Sequence, residues 1–317
     1  MERPEVQPMK LTASELKCLH LLATHGNLSA SVIGKELRVM RPQVSRVLGS
    51  LRERGFVKTE KVGLSKIISL SETKHAILLR RMVLEFEHVP FHELLSGATL
   101  EVLSAISYLK LKNRNEIRGN SLVSETSVAK ALERLKQAGI IRKVDSTYSV
   151  SQRFEILRDF VTEFRHYLNQ KAASSFANDA VVLWECNSEL IVESKRREEG
   201  YGFLLTGISV FARFGIQLMA PRFYFFHSPF VRELRLEDVI LHSFLVNNRN
   251  LLPILLVWKK NERKIDQGYL ESKAEKYGAR NAVHAIKTYF TSQGREKPEG
   301  YPPWHEFTLR AEEYELL

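Results

Sequence analysis

Arg41-Pro-Gln-Val-Ser-Arg-Val-Leu-Gly-Ser-Leu-Arg-Glu-Arg-Gly-Phe-Val57 decides how the first half of this chain is read. Proline suits the first position of a helix, where its missing N–H costs no hydrogen bond. Val44, Val47, Leu48 and Leu51 then repeat at i, i+3, i+4 and i+7, which is one apolar stripe on a helix. Gly55 stops it, as a residue that takes positive φ without strain. With the stripe inward, Pro42, Arg46, Gly49 and Glu53 point outward, flanked by Gln43, Ser45 and Ser50. Arg and Gln carry the bidentate groups that suit base edges in a major groove, and Ser reaches phosphate or base. Gly49 removes a side chain where such a helix lies closest to a duplex, and Glu53 limits how deep it can lie. A merely solvated helix face is the competing reading.

Working outward, Thr12 or Ser14 can cap a helix carrying Leu16, Leu19, Leu22 and Ala23 at helical spacing. Asn27 and Ser29 restart the chain into a short helix with Val32, Ile33 and Leu37. After Gly55, Phe56 to Val62 and Lys66 to Leu70 read as strands around a Gly63-Leu-Ser65 turn. Three helices and a hairpin make a winged helix-turn-helix. The sequence resembles the winged-helix transcription regulators of bacteria and archaea, most clearly in Arg41 to Val57. That resemblance implies sequence-specific binding of double-stranded DNA. Gln43, Ser45 and Arg46 are then the base readers, with Arg41 and Ser50 beside them. Lys58, Lys61 and Lys66 on the wing would meet phosphates.

The same module is written again 84 residues later: Leu11, Leu16, Leu19, Leu48, Leu51 and Gly55 recur as Leu95, Leu100, Leu103, Leu132, Leu135 and Gly139. Ile68-Ser-Leu-Ser71 returns as Tyr148-Ser-Val-Ser151 at an offset of 80. The third helix of this copy follows Ser124 and buries Val128, Ala131, Leu132 and Leu135. It presents Thr126, Lys130, Glu133 and Gln137, flanked by Ser127 and Arg134, with Glu125 nearby and a short wing holding Arg142, Lys143 and Asp145. Contact with DNA through Thr126, Ser127, Lys130 and Arg134, and a packing or dimerising role, both stay open.

Charge follows this division. Residues 1–90 hold 15 Lys and Arg against 9 Asp and Glu, residues 91–170 hold 12 against 9, and residues 171–317 hold 20 against 19. The basic excess therefore lies in the repeat, as a DNA footprint requires. At 317 residues the chain allows two or three domains, and it is read as 1–90, 91–170 and 171–317. The start, Met1 to Pro8, is polar with two prolines and does not read as a signal peptide. No apolar run reaches the length of a membrane span, and Cys18 and Cys186 form no CxxC pair, so a cytoplasmic protein without structural zinc or disulfides is expected. No Walker loop, G-x-S-x-G or H-E-x-x-H motif is present, and no cofactor is expected.

Thr73 to Glu87 reads as a helix packing through Ala76, Ile77, Met82 and Val83. Phe154 to Asn169 is its counterpart, with Leu157, Phe160, Val161, Phe164 and Leu168 at helical spacing. Such helices suit contacts with a second copy or with the chain's own third domain. Lys171 to Asn178, small and polar, reads as the domain boundary. Beyond it the chain is mixed α/β, which makes the whole an α+β protein. Strands are expected at 180–186, 189–193, 219–226 and 252–258, helices at 207–214, 236–246, 269–277 and 281–290, and an extended tail from Pro298.

Leu205-Thr-Gly-Ile-Ser-Val-Phe-Ala212, Leu236-Glu-Asp-Val239 and Tyr269-Leu-Glu-Ser-Lys-Ala-Glu-Lys-Tyr-Gly278 resemble, in that order, the C-terminal domain of AbiE-type antitoxin regulators. That domain is akin to a nucleotidyltransferase fold. The likeness spans roughly residues 200–290 and implies autoregulation and a toxin-like partner protein rather than catalysis. That family carries a single winged helix, whereas this chain has two.

A working nucleotidyltransferase would need paired acids on a strand to hold Mg²⁺, and Gln217 to Tyr224 offers none. Asp179 with Glu193-Ser-Lys195 has the spacing of a PD-(D/E)xK metal nuclease, in which two carboxylates hold the metal and the lysine steadies water. A solvated strand edge explains the same residues. His88 and His92 stand at i, i+4, but Pro90 breaks the helix a metal pair needs. The expected protein is a DNA-binding regulator rather than an enzyme, its third domain serving a partner, a ligand or a second copy. A metal-dependent nuclease and a protein-binding winged-helix scaffold are the alternatives.

Overall fold

The computed structural model describes residues 8–62, 65–218, 221–246 and 251–316, and the protein is mixed α/β. The chain divides into two compact units between Leu168 and Asn169.

The first unit begins with α1 (Ala13–His25), opened by a capping box: Thr12 accepts from the Glu15 amide and the Glu15 carboxylate accepts from the Thr12 amide. Of the two cap candidates, Thr12 is the one used. Leu16, Cys18, Leu19, Leu22 and Ala23 are buried. A two-residue strand β1 (Leu28–Ser29) leads into α2 (Ala30–Leu37), which Ser29 caps. Of Val32, Ile33 and Leu37 in α2 only Ile33 is buried; Val32 is 42% exposed. Next come α3 (Arg41–Glu53), β2 (Val57–Val62) and β3 (Ser65–Leu70). The three strands form a sheet in the order β1-β3-β2. The expected turn at Gly63-Leu-Ser65 falls on residues 63–64, outside those described.

The unit continues through α4 (Lys74–Glu85), α5 (Phe91–Leu94), α6 (Thr99–Tyr108), α7 (Arg114–Gly119) and α8 (Glu125–Gln137) to the hairpin of β4 (Ile141–Val144) and β5 (Thr147–Val150). In α4 the inward residues are Ala76, Leu79, Met82 and Val83, while Ile77, read as inward, is 54% exposed. Leu79 sits at i+3 from Ala76 and takes the place assigned to Ile77. After a 3-10 turn at Gln152–Phe154 comes α9 (Glu155–Phe176), 22 residues long. Residues 171–176, read as a boundary segment, are its last turns.

The second unit holds a four-stranded antiparallel sheet in the order β6-β7-β9-β8, built from β6 (Val181–Cys186), β7 (Glu189–Ser194), β8 (Phe203–Thr206) and β9 (Phe223–His227). A 3-10 helix at Gly207–Phe214 follows β8. Residues 219–220, expected to open the aromatic strand, lie outside those described. Helices α10 (Leu236–Val246), α11 (Leu252–Asn261), α12 (Gln267–Lys276), α13 (Arg280–Thr291) and α14 (Trp304–Glu313) complete the unit. Two expectations fail here. Leu252 to Trp258 is a helix, not a strand: five successive residues from Ile254 to Trp258 are buried, and a run apolar on every side carries no period to separate the two forms. The tail is not extended; α14 buries Phe307 and Ala311, one turn apart.

Candidate nucleic-acid interface

The third helix follows its apolar stripe. Val44, Val47, Leu48 and Leu51 are buried, and Arg41, Pro42, Gln43, Ser45, Arg46, Arg52 and Glu53 are exposed. Its far end is anchored. Gly55 has φ +72°, and its carbonyl accepts from the Ser71 hydroxyl and, at 2.9 Å, from that of Thr73. The Tyr167 ring lies so close that a Cβ on Gly55 would fall 2.5 Å from it. Next door, His75 Nε2 donates to the Arg54 carbonyl at 3.0 Å, and burial lowers the histidine pKa to about 4, so the ring is neutral.

A groove of about 700 Å³ opens between the start of this helix and the wing. Arg41, Ser45 and Arg52 of α3, Lys66 of β3, and Ser29 and Ser31 at the start of α2 line it. Three of the residues picked from sequence, Arg41, Ser45 and Lys66, thus meet at one concavity. Gln43 and Arg46 stand on the outer face of α3, outside that lining. Ser50 is half-buried. Arg52, Ser29 and Ser31 escaped the sequence reading, because only the pairing of β1 with β3 brings Ser29 beside the wing.

The three wing lysines differ. Lys58 pairs with Glu72 at 3.1 Å and Glu60 at 3.2 Å, and its pKa is raised, first by the hydrogen bond to Glu72. Its charge is largely answered within the protein. Lys61 and Lys66 are directly opposite each other across the β2–β3 ladder, and both are exposed. Like charges at that spacing repel. A phosphate between or near them removes the cost.

The corresponding face of α8 is more committed. Arg134 donates to the Glu93 carbonyl at 3.1 Å, which ties the helix to the end of α5. The Thr126 and Ser127 hydroxyls lie 3.1 and 2.9 Å from the Ser124 hydroxyl, so all three serve the helix start. Lys130 is exposed. Lys136 at the end of α8 and Lys143 on β4 lie 5.2 and 4.9 Å from the centre of the Tyr148 ring.

Residues 7–73 match the family model of the sugar-specific transcriptional regulator TrmB. By that similarity the N-terminal module is a winged helix of the transcription-regulator kind, and the chain is a DNA-binding regulator of transcription. The TrmB-like stretch runs from just before α1 to the start of α4, and so contains the whole groove and both wing strands. A second family model, described as HVO_2833_C, C-terminal, matches residues 199–316. No curated protein and no solved structure matches the chain.

Outside the TrmB-like module, the residues considered for metal chemistry are already engaged. Arg222 pairs with Glu193 at 2.7 Å and with Asp179 at 3.6 Å, placing a guanidinium where a nuclease would hold its ion. Asp179 also accepts from the Ser194 hydroxyl and the Lys195 amide, which lowers its pKa. His88 Nε2 lies 3.3 Å from the Arg153 guanidinium, and His92 Nε2 lies 3.7 Å from the Glu93 carboxylate. No cluster of three or more metal-binding side chains occurs among the described residues, and none of the described helices is long and apolar enough to cross a membrane.

Proposed function

We propose that the chain is a sequence-specific regulator that binds double-stranded DNA through the first of two winged helices in series. The gathering of Arg41, Ser45 and Lys66 around one groove, within the stretch similar to TrmB, carries this reading. Arg46 and Gln43 read bases from the outer face of α3, while Lys61 and Lys66 hold phosphates. The second module, α6 to β5, repeats the order of three helices and a hairpin. Its Arg134 serves packing, so we assign it a structural role with Lys130 as its remaining DNA contact. Autoregulation of the antitoxin kind, with a partner protein or second copy on the C-terminal unit, is the narrower form of the proposal. It is supported by the likeness over residues 200–290.

The test is binding of the full chain to a random duplex pool and to its own upstream region, over a salt series with Mg²⁺ present. The expected result is a sequence-selected complex, lost steeply as salt rises, that leaves the DNA intact. Selection of the upstream region supports autoregulation. No complex at low salt would leave the scaffold reading in its place, and cut DNA would turn attention to Asp179 and Glu193.

A further inference from the structure

Residues 171–317 are almost neutral, with 20 basic against 19 acidic side chains. Within them, one cleft of about 640 Å³ gathers Arg213, Arg235, Lys260 and Lys264 around a single carboxylate, Glu237. That carboxylate is buried and in use: Oε1 accepts from the Asp266 amide at 2.6 Å, and Oε2 lies 3.7 Å from the Arg235 guanidinium. It braces Arg235; Lys260 lies 5.9 Å from the centre of the Tyr314 ring, and among the described residues no carboxylate pairs with Arg213, Lys260 or Lys264.

Two of the cations are also held in place. Arg235 stacks over the Tyr269 ring at 4.3 Å and pairs with Asp266 at 3.5 Å. Lys260 passes over Gly215, where φ is +84° and a Cβ would come within 2.6 Å of the lysine Cε. Glycine there opens the path of the lysine stem. Asn261 fixes the floor by donating to the Phe214 and Val257 carbonyls at 3.1 and 3.0 Å. Phe214 and Leu236 add an apolar wall. Convergence of like charges raises the free energy of an empty site, and a bound anion offsets it. The volume is that of a small-molecule site, and planar guanidinium forks match phosphate oxygens in pairs.

We propose that this cleft binds a small phosphorylated molecule, its phosphate on the four cations and its organic part against Phe214 and Leu236. The full chain is titrated by calorimetry with pyrophosphate and with phenyl phosphate, with phenol as the uncharged control. Both anions are expected to bind at one saturable site that survives about 0.15 M salt, where diffuse attraction is screened beyond roughly 8 Å. Lys260→Gln and Arg213→Gln, both at exposed positions, are each expected to weaken binding at least tenfold with the melting temperature unchanged. Inorganic phosphate is titrated beside them, and phenyl phosphate is expected to bind more tightly than it. Equal binding by the variants, loss of binding at 0.15 M salt, or displacement by a short duplex would each overturn the proposal. The last would assign the cleft to nucleic acid.

Discussion

Arg46 and Lys66 make the same charge do different work, and substitution separates them. Arg46 stands on the outer face of α3, where a bidentate contact is worth about 1–3 kcal/mol against the wrong base. Arg46→Ala is expected to weaken the selected site by that amount and to relax sequence preference, read by competition between the selected duplex and scrambled ones. Lys66→Ala should weaken all duplexes alike and reduce the slope of log affinity against log salt by about 1. Unchanged binding in both would remove these residues from the interface. Elsewhere Arg165, fully buried on α9, donates to both oxygens of the equally buried Glu101 at 2.9 Å, and Glu101 also accepts from the Met9 amide at 2.6 Å. Arg165→Met strands a buried carboxylate and should cost about 3–5 kcal/mol in denaturant unfolding. Adding Glu101→Gln, which keeps an acceptor for Met9 without the charge, should recover part of that loss; no recovery would show that packing, not charge, sets the cost. Sequence hid this pair, because Arg165 sits beside Phe164 on the apolar face of its helix, where periodicity predicts only hydrocarbon.

Elements were legible where their apolar residues kept a period. The α3 stripe, the α8 stripe and the buried face of α9 each stand where spacing placed them. The period was absent in α11, and in α14 two prolines just upstream argued against a helix whose inward residues are few. The groove was out of reach for another reason. Lys66 and Arg41 are 25 positions apart in sequence, and only strand pairing brings them together. Helix ends offer a controlled experiment, since Gly55 and Gly139 close equivalent helices with φ of +72° and +66°. A Cβ at Gly139 meets nothing within 4 Å, whereas one at Gly55 strikes the Tyr167 ring. Gly139→Ala should therefore cost only the backbone strain, about 1 kcal/mol. Gly55→Ala should cost clearly more, and equal losses in thermal unfolding would refute the role given to the ring.

Across the molecule, neutral buried histidines set the response to acid. Burial lowers His75 in the first unit and His227 in the second to about 4, while each titrates near 6.5 once unfolded. Between those values the unfolded chain takes up protons that the folded chain refuses. The contribution of each is intact above about pH 6.5 and shrinks by up to roughly 3 kcal/mol as pH falls toward 4. Unfolding in urea at pH 7.5 and pH 5 should show this decline. His227→Phe, whose ring can keep the edge contact with Phe203 at 4.6 Å, should remove its own share of the decline, leaving those of His75 and the buried His242, while stability at pH 7.5 stays nearly unchanged. An unaltered pH profile would show that the histidine is not the source.

The opposed lysines of the wing give salt two contrary effects. Mobile ions that displace the protein from a duplex also quiet the repulsion between Lys61 and Lys66 in the unbound wing. The unbound protein should keep best in the ionic strength at which it binds worst, and dilution into weak buffer should be the moment at which an unoccupied wing comes under most strain.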